Sequence, residues 1–427
     1  MADTLQTSSD LETTMLDMGR RARAASVALS KAGKDARTVG LNAMADALES
    51  AQQEILNANR LDVDMARAKS LSPAMLDRLA LDVARLNGVV DALRMVAKLP
   101  DPVGDEIARW LVPSGLDIAR VRTPLGVIGI IYEARPNVTA DAAALCIRSG
   151  NAAILRAGSE SLNSAIAIAE ALRFGLKSAG LPEHGVQIVP MTDRAAVGHM
   201  LAGLDGQIDV IVPRGGKGLV ERVQADARVP VIGHLEGLCH TYIHRAADPQ
   251  KAVDITLNAK MRRTGICGAT ETLLVDAGVA GTLLPAIGMA LSEAGCTLKV
   301  DEAAKHILPD AQLASEEDWR TEYLSPVLSI KIVQSLDEAV AHIAEYGTGH
   351  TECIITEDDV AAERFLSEVD AGIVIRNAST QFADGREFGM GAEIGIATGR
   401  IHARGPVGAE QLTIFKYVVR GTGQIRS

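Results

Sequence analysis

The sequence predicts an α/β protein with a parallel-sheet domain, a second α/β domain and a small β arm. Three observations carry this. Apolar runs alternate with helical stretches of small residues from Gly126 to about residue 243, and again from Thr270 to Asn377. The chain has 427 residues, too many for one simple core and enough for two or three domains of ~100–200 residues each. Two segments outside these regions, the hairpin at 109–123 and the tail at 410–424, alternate with a period of two.

The elements follow in order. Residues from about 10 to 100 read as helices, with apolar positions at helical spacing in VGLNAMADALESAQQEILNAN and LDRLALDVARLNGVVDALRMVAKL. Pro100 and Pro102 stop the last of them. RWLVPSGLDIARVRTP alternates, turns at Pro113-Ser114-Gly115 and alternates again, a hairpin signal. GVIGIIYEA is a continuous apolar run, as expected of a buried parallel strand. NAAILRAG, VQIVP and QIDVIVP continue that sheet, with helices between them, and PVIGHLEGLCHTYI is expected to close it. TETLLVDA, CTLKV, LSIKIV, ECIIT and AGIVIRN read as the strands of a second sheet. The tail AEQLTIFKYVVRG reads as a strand able to pair with the early hairpin. The expected domains are 1–108 with 124–240, then 241–405, with 109–123 and 406–427 as the arm.

Composition excludes several classes. A net charge of −11 argues against nucleic acid as partner, because phosphate contacts need clustered Lys and Arg. The N-terminus lacks the basic and apolar regions of a signal peptide, and no apolar run reaches the ~18 residues of a membrane span. The five cysteines are scattered and contain no CxxC pair, so neither a disulfide frame nor a zinc cage is expected, and a reducing cytoplasm fits.

Four features could carry chemistry. In RRTGICGATETLLV, Cys267 lies between glycines in a short loop after Arg262 and Arg263, where nearby cations favour a thiolate. An inert buried thiol is the competing reading. In VIVPRGGKG a strand runs into Gly215, Gly216 and Gly218 at a helix start, where backbone N–H groups can hold phosphate. The spacing matches no named phosphate loop, and a plain strand–helix turn is the alternative. Glu236 is read at the end of an apolar strand, where a carboxylate can act as a base. A metal site from His234, Cys239 and His240 is set aside, because a strand points Cys239 and His240 to opposite faces. Asn137, where YEARPN leads into a helix, can donate to an oxyanion or serve as a helix cap.

The order Asn137, Gly215–Gly218, Glu236, Cys267 over two α/β domains resembles the aldehyde dehydrogenase superfamily. TEYLSPV resembles that family's Glu-x-Phe-Gly-Pro-Val segment, with Glu322 as the implied nicotinamide-ribose ligand. Within the superfamily, YEARPN, IVPRGG, HLEGLCHTY, HARGPVG and the stretch from Val333 to Ile354 are similar to the gamma-glutamyl phosphate reductase family, over about residues 10 to 420. The resemblance implies a Rossmann-type cofactor domain, a catalytic domain carrying Cys267 and a β oligomerisation arm.

It also implies a function: reduction of L-glutamyl 5-phosphate to L-glutamate 5-semialdehyde by NADPH, through a Cys267 thioester, as the second step of proline biosynthesis. Ordinary aldehyde dehydrogenases use a Glu in Glu-Leu-Gly-Gly to activate water. Here the segment is Leu-Glu-Gly-Leu-Cys around Glu236. NAD-preferring members often hold the ribose 2′-hydroxyl with a Glu three residues after a Lys. Here Arg156 and Ser159 stand at those positions, which favours NADP, since an Arg can pair with a 2′-phosphate. Arg135, Arg263, His402 and Arg404 are the candidate cations for the substrate. A homo-oligomer is implied, and glutamate 5-kinase is a candidate partner, since an acyl phosphate is labile. The rival readings are a non-phosphorylating aldehyde dehydrogenase and a nucleotide-binding protein without catalysis.

Overall fold

The computed structural model describes residues 2–426, so Met1 and Ser427, the outer ends of the expected spans, lie outside the described residues. The chain forms two compact units. One comprises Met1–Gly233 with Gly389–Gly395 and Val407–Ser427, the other His234–Phe388 with Ile396–Pro406.

In the first unit, helices Ala2–Lys31, Lys34–Ser50, Gln52–Ala68, Pro73–Leu79 and Val83–Lys98 precede the sheets. Asp82 starts the last of them by accepting from Arg85 N at 2.7 Å. Four parallel strands follow, in the spatial order Val186–Ile188, Ala152–Ala157, Val127–Tyr132, Val210–Arg214. Every residue of Val127–Tyr132 and Ala152–Ala157 is buried, which is why these strands are unbroken apolar runs rather than alternating ones. In chain order the strands stand 3-2-1-4. The chain therefore leaves the first strand in opposite directions, and the crevice beyond its C-terminal end is where such sheets bind ligands.

The same unit holds a three-stranded antiparallel sheet. Asp117–Pro124 is its central strand, between Glu106–Leu111 and the tail strand Thr413–Arg420. Gly115, at φ +81°, makes the hairpin turn. Trp110 and Tyr417 meet edge to face with ring centroids 6.2 Å apart.

The second unit is built on seven strands, all parallel, in the order Gln312–Leu313, Thr297–Val300, Val327–Val333, Thr270–Asp276, Cys239–Ile243, Thr351–Ile355, Ile373–Arg376. Alternate residues face opposite layers. Leu273, Val275, Ile243 and Cys353 pack under the helices Pro249–Met261 and Ala277–Glu293. Leu274, Tyr242 and Ile354 pack under Leu336–Tyr346 and Asp359–Glu368. Two sequence expectations are corrected here. Cys239–Ile243 does not close the first sheet; it pairs with Thr270–Asp276 and Thr351–Ile355 in the second. Glu236 stands in the loop before that strand, not at a strand end. Buried parallel strands look alike locally, and long-range pairing decides which sheet takes them.

Among the described residues no helix is long and apolar enough to cross a membrane.

Candidate active site

All five cysteines are thiols, and burial separates them. It pushes Cys146 and Cys353 up to about 12 and Cys296 to about 11, and raises Cys239 well above its ordinary value. Cys267 is half-buried, in a turn leading into strand Thr270–Asp276. A Cβ on Gly237 would lie 2.2 Å from Cys267 O and 2.6 Å from Cys267 Cβ. The loop can pass the thiol's backbone this closely because it carries no side chain there. Cys239 Sγ donates to Cys267 O at 3.1 Å, and Cys267 packs against Ile373, Ala383 and Ile396.

The turn is braced from beneath. Lys260, in the last turn of the helix before it, forms a fully buried ion pair with Glu271, just after it. Burial lifts the Glu271 carboxyl to about 7, against the pull of Lys260. Glu271 Oε1 also accepts from Leu324 N at 3.2 Å, where Leu324 has φ +51°. That bond fixes the loop carrying Glu322, whose Oε1 accepts from Gly237 N at 2.9 Å. Arg262 and Arg263 are exposed at the mouth of the turn, and Gln381 accepts from Arg262 Nη1 and donates to the Ala259 and Arg263 carbonyls.

Thus Glu236, Cys267, Arg263 and Glu322, far apart in sequence, share one corner of the second unit. The structure adds His234, His350 and Thr348 to it. Thr348 Oγ1 accepts from Leu238 N at 3.0 Å, and the His234 and His350 rings meet at 4.9 Å. Cys239 and His240 do point apart, as expected: Cys239 toward Cys267, and His240 to Glu352, with which it shares a fully buried contact of 2.9 Å. Arg404 is paired with Asp370 at 2.5 Å and, with Arg400, lines a cavity of about 350 Å³ walled also by Thr348, Gly349 and Glu352. His402 is exposed two residues before it.

In the first unit the other group of predicted residues gathers at the switch point of the four-stranded sheet. Tyr132 pairs with Arg214 in register, and Glu133 follows the first strand as Gly215 follows the fourth. Glu133 Oε2 accepts from Gly216 N at 3.0 Å, at the start of helix Lys217–Asp226. A carboxylate thus occupies the anion position that the glycine turn suggested. A Cβ on Gly215 would lie 2.6 Å from that same oxygen, so the glycine is what admits it; Gly218 faces open space. Ala134 is held at φ +44°, with its N–H on Glu160. After this kink Arg135 is half-buried and Asn137 opens helix Asn137–Arg148, its Nδ2 donating to Asp141 at 2.9 Å.

Arg156, next to last in strand Ala152–Ala157, has its guanidinium on the carbonyls of Ala157 and Thr192, its Nε buried without a hydrogen-bond partner. Burial lowers its pKa; Glu160 opposes this, while Arg194 and Arg222 lower it further. Ser159, three residues on, is exposed. Arg194 was not legible from sequence, since it joins Arg156 only through the fold.

The fold and the site together define a class. The chain belongs to the aldehyde dehydrogenase family, whose model matches residues 8–306 and 309–402. Its full length is similar to gamma-glutamyl phosphate reductases. It is 65% identical to the protein of that name from Hyphomonas neptunium, over 99% of this chain and 100% of the relative. The crystal structure of gamma-glutamyl phosphate reductase from Thermotoga maritima superposes with a TM-score of 0.94 at 44% identity, covering 97% of this chain and 100% of that one. An acetylating aldehyde dehydrogenase from Geobacillus thermoglucosidasius shares the fold, with a TM-score of 0.67 at 18% identity over 98% of each chain.

Proposed function

We propose that the protein reduces L-glutamyl 5-phosphate to L-glutamate 5-semialdehyde and phosphate with NADPH, as the second step of proline biosynthesis in the cytoplasm. The observation that carries the reading is the full-length 65% identity to a gamma-glutamyl phosphate reductase, joined to one half-exposed thiol held between glycines.

In this reading the Cys267 thiolate attacks the acyl carbon. The carbon–sulfur bond forms, the bond to phosphate oxygen breaks, and phosphate leaves. The first unit's residues suit a dinucleotide with a 2′-phosphate. The N-terminus of helix Lys217–Asp226 already holds a carboxylate, and Arg156 has a buried donor to spare. Gly215, Gly216 and Gly218 would face the pyrophosphate, Arg156 and Ser159 the adenosine ribose, and Glu322 the nicotinamide ribose. Bound NADPH supplies the hydride that reduces the thioester. The hemithioacetal on Cys267 then collapses, returning the thiolate and releasing the aldehyde.

Asn137 has a second amide hydrogen beyond the one given to Asp141, and it is assigned to the oxyanion. The substrate's charged groups are assigned to Arg135, Arg263, His402 and Arg404. Glu236 is retained as a half-buried carboxylate beside the thiol; a reaction that releases phosphate does not need it to activate water. A second copy of the chain is assigned to the three-stranded sheet, and hand-over from glutamate 5-kinase would protect the labile acyl phosphate.

The test is NADP+ reduction by the purified protein with L-glutamate 5-semialdehyde, with and without inorganic phosphate. Strict dependence on phosphate is expected, together with no turnover in Cys267→Ala despite intact NADPH binding. Equal rates without phosphate would replace this reading with the non-phosphorylating one. Failure of thiol-directed reagents to label Cys267 would favour a protein without catalysis.

A further inference from the structure

The corner around Cys267 contains two histidines, His234 and His350, that the proposed reduction does not use. A ring nitrogen of His234, a ring nitrogen of His350 and Cys267 Sγ all lie within 4.8 Å of one another. Each imidazole is fixed by its Nδ1. His234 Nδ1 donates to the carbonyl of Ile396 at 2.7 Å. His350 Nδ1 meets Thr351 Oγ1 at 2.9 Å and Cys239 Sγ at 3.5 Å. That leaves Nε2 of each ring for another partner. His350 is fully buried, and its Nε2 has no hydrogen-bond partner. An orphaned ring nitrogen in a fully buried histidine is costly unless something else completes it.

We infer that His234, Cys267 and His350 form a binding site for one soft divalent cation of the zinc class. A thiolate with two imidazoles, each held at Nδ1 by an outer oxygen, is the donor chemistry zinc selects. At zinc bond lengths of ~2.0–2.3 Å, tetrahedral ligand atoms stand about 3.3–3.6 Å apart. The three atoms are within 4.8 Å already, and small side-chain adjustments of half-buried His234 and Cys267 close the difference. His234 is half-buried too, so one side of the site stays open to water as fourth ligand. On binding, the Cys267 thiol gives up its proton to solvent and its sulfur lone pair to the metal, and no other bond changes. If Cys267 is the nucleophile, as the proposed function holds, the metal masks it reversibly. The site would then be an inhibitory and thiol-protecting one.

The experiment uses the full-length protein, stripped of metal and kept reduced with a phosphine. Cobalt(II) is titrated first, then displaced with zinc(II), without substrate. One metal per chain and a thiolate-to-cobalt charge-transfer band are expected. The band should vanish in Cys267→Ser, and zinc should block alkylation of Cys267 by iodoacetamide until a chelator is added. His350→Gln and His234→Gln should each weaken zinc at least ~10-fold, since loss of even an outer partner costs ~10–100-fold. His234 is half-exposed, so its variant reads the site even where the buried His350→Gln variant folds poorly. Absence of the charge-transfer band, or zinc affinity unchanged in both histidine variants, overturns the inference. Metal binding is read without turnover. A protein that binds zinc but does not reduce the acyl phosphate sinks the proposed function alone, and one that turns over but binds no zinc sinks the site alone.

Discussion

Replacing Gly237 with alanine should disable the protein while leaving much of its fold in place. A Cβ there would stand 2.2 Å from Cys267 O, 2.6 Å from Cys267 Cβ and 2.7 Å from Cys267 Cα. Ordinary contact begins at 3.4 Å, so the nearest pair is about 1.2 Å too close. These atoms belong to backbone and to the root of a side chain, so no flexible end can swing away. The turn cannot yield cheaply from beneath, because Glu271 and Lys260 form a dry ion pair under it and Gln381 ties down the Ala259 and Arg263 carbonyls. Gly237 has no positive φ, so the cost is steric rather than conformational. Overpacking of this kind costs ~1–3 kcal/mol of stability. The larger effect is on chemistry, since displacing a reacting atom by ~1 Å can cost ~10²-fold in rate. The assay is kcat/KM in the semialdehyde direction, beside the alkylation rate of Cys267 and urea unfolding of the same preparation. A Gly237→Ala protein with unchanged turnover and unchanged alkylation would refute the close approach on which this reasoning stands.

Three further outcomes are expected. Glu133→Gln removes the charge that competes for the N-terminus of helix Lys217–Asp226, an interaction worth ~0.3–1 kcal/mol, so NADPH should bind ~2–5-fold tighter by fluorescence titration; weaker binding would show that Glu133 is a ligand rather than a competitor. His342 is buried against Trp319, His240 and Tyr346, and burial first, then His240 and Lys331, holds its pKa down at about 3. With the folded pKa below the ordinary 6.5, its contribution to stability is complete above pH 6.5 and is lost as pH falls toward 3. Neither ring nitrogen has a partner to lose, so His342→Phe should flatten the pH dependence of unfolding between pH 6.5 and 4, and an unchanged slope would refute this. On the three-stranded sheet, Leu111 is 75% exposed and Val419 53%. Leu111→Asp with Val419→Asp should shift the protein to monomer in light scattering, and an unaltered mass would move the interface elsewhere.

Much of the fold was legible because buried parallel strands announce themselves as apolar runs and small-residue helices separate them. Ile128, Ile130 and Ile131 could hardly lie anywhere but inside a sheet. The hairpin and the tail strand were equally plain, each with its own alternation and turn. Cys239–Ile243 was misplaced because nothing local distinguishes a strand of one parallel sheet from a strand of the other. Cys267 stood out through its glycines and arginines. The contacts that the candidate residues make in each unit did not. His350 reaches Cys239 across 111 positions, Glu322 reaches Gly237 across 85, and Glu133 reaches Gly216 across 83. No periodicity encodes separations of that size. His350 lies in the stretch from Val333 to Ile354 that is similar to the family, but that similarity gave it no role and no partner.

The dry Lys260–Glu271 pair has a consequence for motion. Loops that carry reactive groups usually belong to the least protected parts of a protein, opening locally many times before the whole chain unfolds. Here the loop's two ends are stitched to the interior by a pair that cannot be parted without stranding a charge. Amide protons around Cys267 should therefore exchange with solvent about as slowly as those of the Thr270–Asp276 strand itself, through global rather than local opening. A thiol mounted this way offers its electron pair from a fixed point, and substrate and cofactor must come to it.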